Sequence, residues 1–257
     1  MATISTGRLQ VLRNWHRWTV CTATGFWLCG VLAAMGTVGC AAGDGARQGR
    51  QGTQSRPLSP TPTVDYQVTT ADVIINDAVA LSANAAAGAT TLEIDSGSAA
   101  ALAKFSVGDV ALILQVQGAQ ISAQNSASYG AITALGGAGQ YELVRIVEVD
   151  VAGGTLTIGC GGLKYGYSAT GKTQVVRMPA YRSVTVQTGA SLRAPAWNGS
   201  TGGVLAFFAT RVATVDGDVS ASGAGFRGGS ARSVSMQPGD NAYVSAQYGG
   251  EKGEGIA

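Results

Sequence analysis

Charge is scarce in this chain: Asp, Glu, Lys and Arg together make up 12% of its 257 residues, about half the share usual in soluble domains. A surface so poor in Lys and Arg carries no basic stripe, which excludes a nucleic-acid binder. Histidine occurs once, at His16, and cysteine four times, at Cys21, Cys29, Cys40 and Cys160. Long stretches with a 3.6-residue apolar period are also missing, which argues against helical and βαβ architectures. Glycine is abundant, with 38 residues, and suits β folds with many tight turns.

The N-terminus concentrates much of the apolar excess. Arg8, Arg13 and Arg17 form a basic leader, Trp18 to Leu32 is apolar and uncharged, and small residues lead to Thr37-Val38-Gly39-Cys40. This is the layout of an export signal over residues 1–39. Gly39-Cys40 resembles a bacterial lipobox, in which the Cys is lipidated and becomes the first residue of the mature chain. Thr37 stands where that box has Leu, so ordinary signal-peptidase cleavage nearby, leaving a secreted protein, is the alternative. Residues 40–63 are rich in Gly, Gln, Ser and Pro and read as a disordered tether.

Loss of residues 1–39 removes three basic residues and no acidic ones, leaving 14 against 15. It also removes His16, Cys21 and Cys29. A mature chain without histidine cannot build a Ser-His-Asp or Cys-His system or a His-ligated zinc site, and an acylated Cys40 leaves no partner for a disulfide. Carboxylates, Lys and Tyr remain as catalysts. Cys160, in TIGCGG, reads as a small strand residue.

From Val64 onward the period is two. In DVALILQVQG (109–118) Val110, Leu112, Leu114 and Val116 share one face, and Ala111, Ile113, Gln115 and Gln117 the other, as in a strand. Strands are also expected over 73–81, 90–95, 142–150, 155–160, 173–178 and 183–187, with one short helical turn over 98–104. The expected fold is all-β: a small barrel or sandwich-like domain over 64–182, then the start of a parallel β-helix-like solenoid over 183–257. The solenoid rests on VTVQTGASLRA (184–194) and ATVDGDVSA (213–221), which share one plan. Val186 and Val215 are 29 residues apart, and Leu192 and Val219 are 27 apart, as in successive coils.

Three motifs invite chemistry. GYSATGKT (166–173) satisfies the Walker A pattern at Gly166, Gly171, Lys172 and Thr173. A phosphate loop must open a helix, however, and the continuation TQVVRMP is strand-like, so the stretch reads as a turn with Lys172 at the surface and nucleotide is not an expected partner. GAGFRG (223–228) fits the dinucleotide pattern and likewise lacks its helix; Phe226 and Arg227 at that corner could meet a glycan or a partner. Asp216 and Asp218, two apart, are weak candidates for a metal or for sugar chemistry, although Gly217 between them favours a turn. Trp197 could stack on a sugar but more commonly packs between layers. Asn198-Gly199-Ser200 matches a glycosylation sequon that a bacterial lipoprotein would not use.

AAAGATTLEIDSGSAAALAKFSVGDVALILQVQGA, YELVRIVEVDVAGGTLTI and YSATGKTQVVRMP together resemble a β domain of surface proteins in gliding soil bacteria, with cousins in phage tail proteins. YRSVTVQTGASLRAPAWNGSTGGVLAFFATRVATVDGDVSASGAGFRGG resembles the adjoining module of large myxobacterial adventurous gliding motility proteins. The resemblance spans roughly Val73 to Gly229. It implies an exported, envelope-associated, β-rich protein of structural or adhesive role, and supplies no catalytic residues. In those relatives the GKT stretch is a turn entering a strand, and the GFRGG stretch ends a β-helix-like rung.

The sequence therefore points to a non-enzymatic envelope or outer-membrane surface protein. It would be held to the membrane through Cys40, with a glycan or envelope protein as partner and no cofactor. The alternative is a β-helix carbohydrate-active enzyme, a polysaccharide lyase or glycosidase, using Asp216 and Asp218. Lipid anchoring predicts that the chain purified from membranes begins at Cys40 and has the intact mass of a diacylglyceryl adduct. An unmodified N-terminus elsewhere contradicts it.

Overall fold

The structure, a computed structural model, describes residues 62, 64–124, 126–159, 161–229 and 253–257, and the backbone of Trp18–Thr22. The rest of the expected export signal, the tether except Pro62, Cys40 and Cys160 lie outside the described residues. In chain order the strands are β1 (Trp18–Thr22), β2 (Asp65–Val68), β3 (Ala78–Ala80), β4 (Thr91–Glu93), β5 (Val110–Gln115), β6 (Gln120–Ile121) and β7 (Ile132–Ala134). They continue with β8 (Tyr141–Asp150), β9 (Thr155–Ile158), β10 (Thr173–Met178), β11 (Ala180–Val186), β12 (Ser191–Arg193), β13 (Val204–Val215) and β14 (Asp218–Ser220). One short helix, α1 (Ala99–Leu102), follows a 3-10 turn at Ser96–Ser98.

β3, β10, β5, β8, β9 and β4 form an antiparallel sheet in that order. Its two edges meet at the bridge between Leu81 and Ile94, where the Ser82 N–H donates to the Glu93 carbonyl at 3.0 Å and the Asp95 N–H to the Ala80 carbonyl at 2.9 Å. The sheet is thereby curled into a small barrel. The alternation read along 109–118 now has two destinations. Ala111 and Ile113 enter the barrel core with Leu92, Val144, Ile146, Leu156, Ile158 and Val175, and Leu102 and Phe105 from α1 and its exit fill one end. Val110 and Leu112 point outward, yet they too are buried, because β13 lies against them.

The second body is a stack of parallel coils. β2 pairs parallel with β11, and β11 parallel with β13; β12 pairs parallel with β14, and Val73 bridges Leu192 in parallel. Each coil is a strand, a tight turn and a second short strand. Val186 stands opposite Val215 and Leu192 opposite Val219, the register implied by their spacings. Small apolar residues at equivalent positions therefore pile into columns, with Val68, Val184, Val186, Leu192, Leu205 and Phe207 forming the interior.

The sequence does not disclose the first coil. Residues 65–73 build it, with Val68 opposite Val186, so the barrel is inserted between coil one and coil two. The boundary expected at 183 lies within β11, and the strand expected over 73–81 is divided between Val73 in the coil and β3 in the barrel. β6 and β7, a two-stranded ribbon, carry too little apolar alternation to be read in advance. β1, from the apolar leader, lies antiparallel along Val204–Phe208 of β13.

Two buried amides weld the bodies together. Asn76 donates from Nδ2 to the Ala206 carbonyl at 2.6 Å and accepts the Ala206 N–H at 2.9 Å, while the same Nδ2 reaches the Arg177 carbonyl at 3.0 Å. Gln174 does likewise with Gly202, donating at 3.0 Å and accepting at 2.9 Å. Each amide takes the place of a neighbouring strand. Around them Val110, Leu112, Val176 and Met178 of the barrel pack on Val204, Ala206 and Phe208. An Asn76→Ala change leaves buried backbone groups without partners and is expected to cost ~3 kcal/mol. Its denaturant midpoint should fall well below that of an exposed control such as Asn198→Ala, and equal midpoints would refute the assignment.

Candidate functional site

The GYSATGKT stretch is a turn that opens β10, and its amides are already engaged. The Ser168 N–H donates to Gln115 Oε1 at 2.9 Å, Ala169 to Asn84 Oδ1 at 2.9 Å, Gly171 to Ser168 Oγ at 3.2 Å and Lys172 to the Ala169 carbonyl at 3.0 Å. Thr173, which would hold magnesium in a phosphate loop, instead donates its hydroxyl to the Ser168 carbonyl at 2.7 Å. A Cβ on Gly171 would lie 2.5 Å from Gln115 Nε2, so Gly171 is present for close packing. Lys172 has φ +52° and is half-buried rather than fully at the surface.

Asp216 and Asp218 flank the turn between β13 and β14, and Gly217 explains the turn. A Cβ there would lie 2.3 Å from the Ala190 carbonyl oxygen and 2.4 Å from that of Gln187, because the turn rests directly on the one below. Asp218 is ion-paired with Arg193 Nη1 at 2.9 Å, and Arg193 Nε reaches Asp72 at 3.0 Å. The three charges thus run up the stack, from coil one to coil three. Asp216 and Asp218 fall on either side of Gly217, not on one continuous strand face. Among the described residues no group of three or more His, Cys, Asp and Glu side chains converges.

Trp197 is 7% exposed and meets Phe226 edge-on, with centroids 5.6 Å apart. It packs and is not open to a sugar. Arg227 is held by Glu254, and Asn198 accepts the N–H groups of Ser200 and Thr201 in a local turn.

A cleft at the joint between barrel and coils was not foreseen from sequence, since its walls come from four separated segments. It has a volume of about 450 Å³ and is lined by Val107, Asp109, Arg145, Arg177, Pro179 and Tyr181, among others. Arg145 donates to the Gly108 carbonyl at 2.8 Å. Arg177 places Nη2 2.9 Å from Asp77, whose other oxygen takes Lys104 Nζ at 2.7 Å. Burial pushes the Asp77 carboxyl upward, but the hydrogen bonds from Lys104 and Arg177 outweigh it and hold the group below its ordinary value. The Tyr181 phenol, stacked on Tyr66 at 4.5 Å, is pushed up to about 12 by burial and by Tyr66. Arg145 and Arg177 thus line the cleft with donors already engaged, by the Gly108 carbonyl and by Asp77.

The open end of the stack is the second candidate. Val68 and Val186 are 1% and 0% exposed, while Val215, next in the same column, is 49% exposed. Val212, on the same strand, is also 49% exposed. Among the described residues no strand pairs with β13 on its outer side beyond Phe208.

Fold and sites together define an all-β protein in which a curled antiparallel sheet is docked on parallel β-helix-like coils. No protein-family model matches the chain, and no curated protein does. Among solved structures it is similar to the tailspike gp61 of Pseudomonas phage phi297, over 66% of this chain and 27% of that one, at 15% identity and a TM-score of 0.27. It is also similar to the Gp54 tailspike of Acinetobacter baumannii bacteriophage AP22, which was solved in complex with A. baumannii capsular saccharide. That likeness covers 50% of this chain and 23% of the other, at 10% identity and a TM-score of 0.25. The chain thus spans about a quarter of either neighbour's length, and at such TM-scores neither ligand nor activity carries across.

Lysine in the left-handed region is strained and glycine is not. Lys172→Gly is therefore expected to raise stability by about 0.5 kcal/mol or leave it unchanged, and Lys172→Val to lower it. Titration with a fluorescent ATP analogue should show no saturable binding to the parent chain or to either variant. Saturable binding abolished by Lys172→Gly would restore the phosphate-loop reading.

Proposed function

We propose that this is an exported envelope protein, anchored by a lipid on Cys40, whose role is structural or adhesive, in or beside the machinery of gliding. One observation carries the interaction role: among the described residues the third coil has no strand on its outer edge beyond Phe208, and Val215 is exposed there while Val186 and Val68, below it in the column, are buried, with Val212 exposed on the same strand. An open parallel edge with apolar side chains accepts an added strand or coil, by the main-chain bonding that makes edges adhesive. Cleavage before Cys40 would remove β1 and extend that edge back to Val204. The glycine-rich, weakly charged surface and the tether of residues 40–63 suit a protein displayed from a membrane. On this reading a glycan would be received at the joint cleft, with Arg145, Arg177 and Tyr181 in its wall.

The test is binding of the labelled mature chain to whole cells and to a panel of surface polysaccharides, with product analysis of each polysaccharide. Val212→Lys combined with Val215→Lys should lower cell binding at least about tenfold, the scale of 1.4 kcal/mol, with an unchanged unfolding midpoint. Release of oligosaccharides or unsaturated uronates, lost in an Asp216→Ala variant, would favour the lyase or glycosidase instead.

A further inference from the structure

Residues 253–257 return to the folded body as a strap, and the groove that holds them reads both peptide backbone and a carboxylate. On one side, Glu254 donates its N–H to the Arg227 carbonyl at 2.9 Å. Its carboxylate accepts from the Trp197 indole N–H at 2.9 Å, from the Arg227 N–H at 3.0 Å, from Arg227 Nε at 3.0 Å and from Arg227 Nη2. On the other side, Gln117 Nε2 reaches the Gly255 carbonyl at 2.7 Å, and the Gly118 and Ala119 N–H groups both donate to the Ile256 carbonyl, at 2.8 and 2.9 Å. The groove therefore spans the barrel and the coil stack.

Contacts other than the strap's help to set the walls. Trp197 is buried against Phe226. Gly199 leaves room for the guanidinium, since a Cβ there would lie 2.7 Å from Arg227 Nη2. The Gln117 shelf is fixed by the GKT turn, whose Gly171 carbonyl accepts the Gln117 N–H at 2.7 Å, and by Gln115, which donates to the Gln117 carbonyl at 2.9 Å. This is the use the fold makes of the Walker-like glycine. In the filled groove the Trp197 indole N–H donates to a carboxylate, a stronger acceptor than the water that would meet it in an open groove.

The strap itself is attached by polar contacts and contributes no residue to the three apolar cores. Gly229 and Gly253 lie side by side, because a Cβ on Gly253 would stand 3.1 Å from Gly229 N. The 23 residues between them can span at most about 80 Å when extended, enough to reach an adjacent molecule. We propose that this groove is an exchange site, in which the 253–257 strap of a second copy replaces the chain's own and links neighbouring molecules. Exchange of an identical element reuses every contact already present, so only concentration decides between the two arrangements. A tethered strap acts at an effective concentration on the order of millimolar, which crowding of anchored copies on a membrane can match.

Charge fixes the working range. The Arg227 hydrogen bonds hold the Glu254 carboxyl down at about 2, against an ordinary 4.5. The attachment is complete above the ordinary value and is lost as pH falls through the lowered one, so exchange should persist at mildly acidic pH.

Complementation tests the proposal on full-length mature chains. Arg227→Ala spoils the groove and keeps the strap; Glu254→Ala spoils the strap and keeps the groove. Each alone should be monomeric by light scattering at concentrations where the parent chain associates, and an equimolar mixture should form a one-to-one complex. Gln117→Leu serves as a second groove variant should Arg227→Ala fold poorly. A fluorescent Gly-Glu-Gly-Ile-Ala peptide should bind Glu254→Ala about tenfold or more tighter than the parent, whose own strap competes. A monomeric mixture, no binding of the peptide to folded Glu254→Ala, or self-association of each variant equal to the parent would overturn the proposal. The last result would leave the third-coil reading standing.

Discussion

Everything in this structure depends on how two bodies with unrelated strand directions share a face. Parallel coils and an antiparallel barrel cannot continue one another's ladder, and the backbone of residues 202–206 enters the joint with groups that no strand there can satisfy. Asn76 and Gln174 resolve this, each offering a donor and an acceptor to one residue across the joint. A side-chain amide has the same donor and acceptor chemistry as a peptide unit, so it can stand in for a missing strand without leaving a buried polar group unpaired. With the amides in place, the outer faces of β5 and β10 bury Val110, Leu112, Val176 and Met178 against β13. A strand whose second face would have met water becomes buried on both sides.

That joint makes the insertion possible. Coil one, at residues 65–73, and coil two, at residues 180–193, are separated in sequence by the whole barrel, yet Val68 and Val186 stand opposite each other. The chain leaves the stack after coil one, builds the barrel and returns in register. Because the barrel is anchored by Asn76 at its exit and Gln174 near its return, both crossings are fixed. The cleft beside Tyr181 and the Gln117 shelf that receives the strap both arise at this joint, which is why binding features gather there and not inside either core.

Legibility in the sequence followed the range of the interactions. The β5 alternation, the β10 strand and the paired spacings of Val186 with Val215 and Leu192 with Val219 were readable, since each is encoded within one segment or between adjacent coils. Coil one was not. Its partners lie more than a hundred residues away, and a four-residue strand carries no period of its own. The turn identity of GYSATGKT was legible because a strand pattern followed where a helix was required. The purpose of Gly171 was not, because it lies in contact with Gln115 and Gln117, distant in sequence. Trp197 reads from sequence as a residue packed between layers and Arg227 as a corner residue that could meet a glycan or a partner, and the partner they share, Glu254, is found only in three dimensions. The joint cleft had no local signal at all.

The claim on which the rest stands is that residues 65–73 are an integral coil of the stack and that the barrel is inserted into it. Hydrogen exchange followed by mass spectrometry on the full-length mature chain tests it directly. Amides of 65–73 and of 183–193 should share slow exchange and a common opening free energy, as members of one cooperative unit do. Exchange of 65–73 at the rate of an unstructured peptide, with the barrel and 183–193 still protected, would contradict the account.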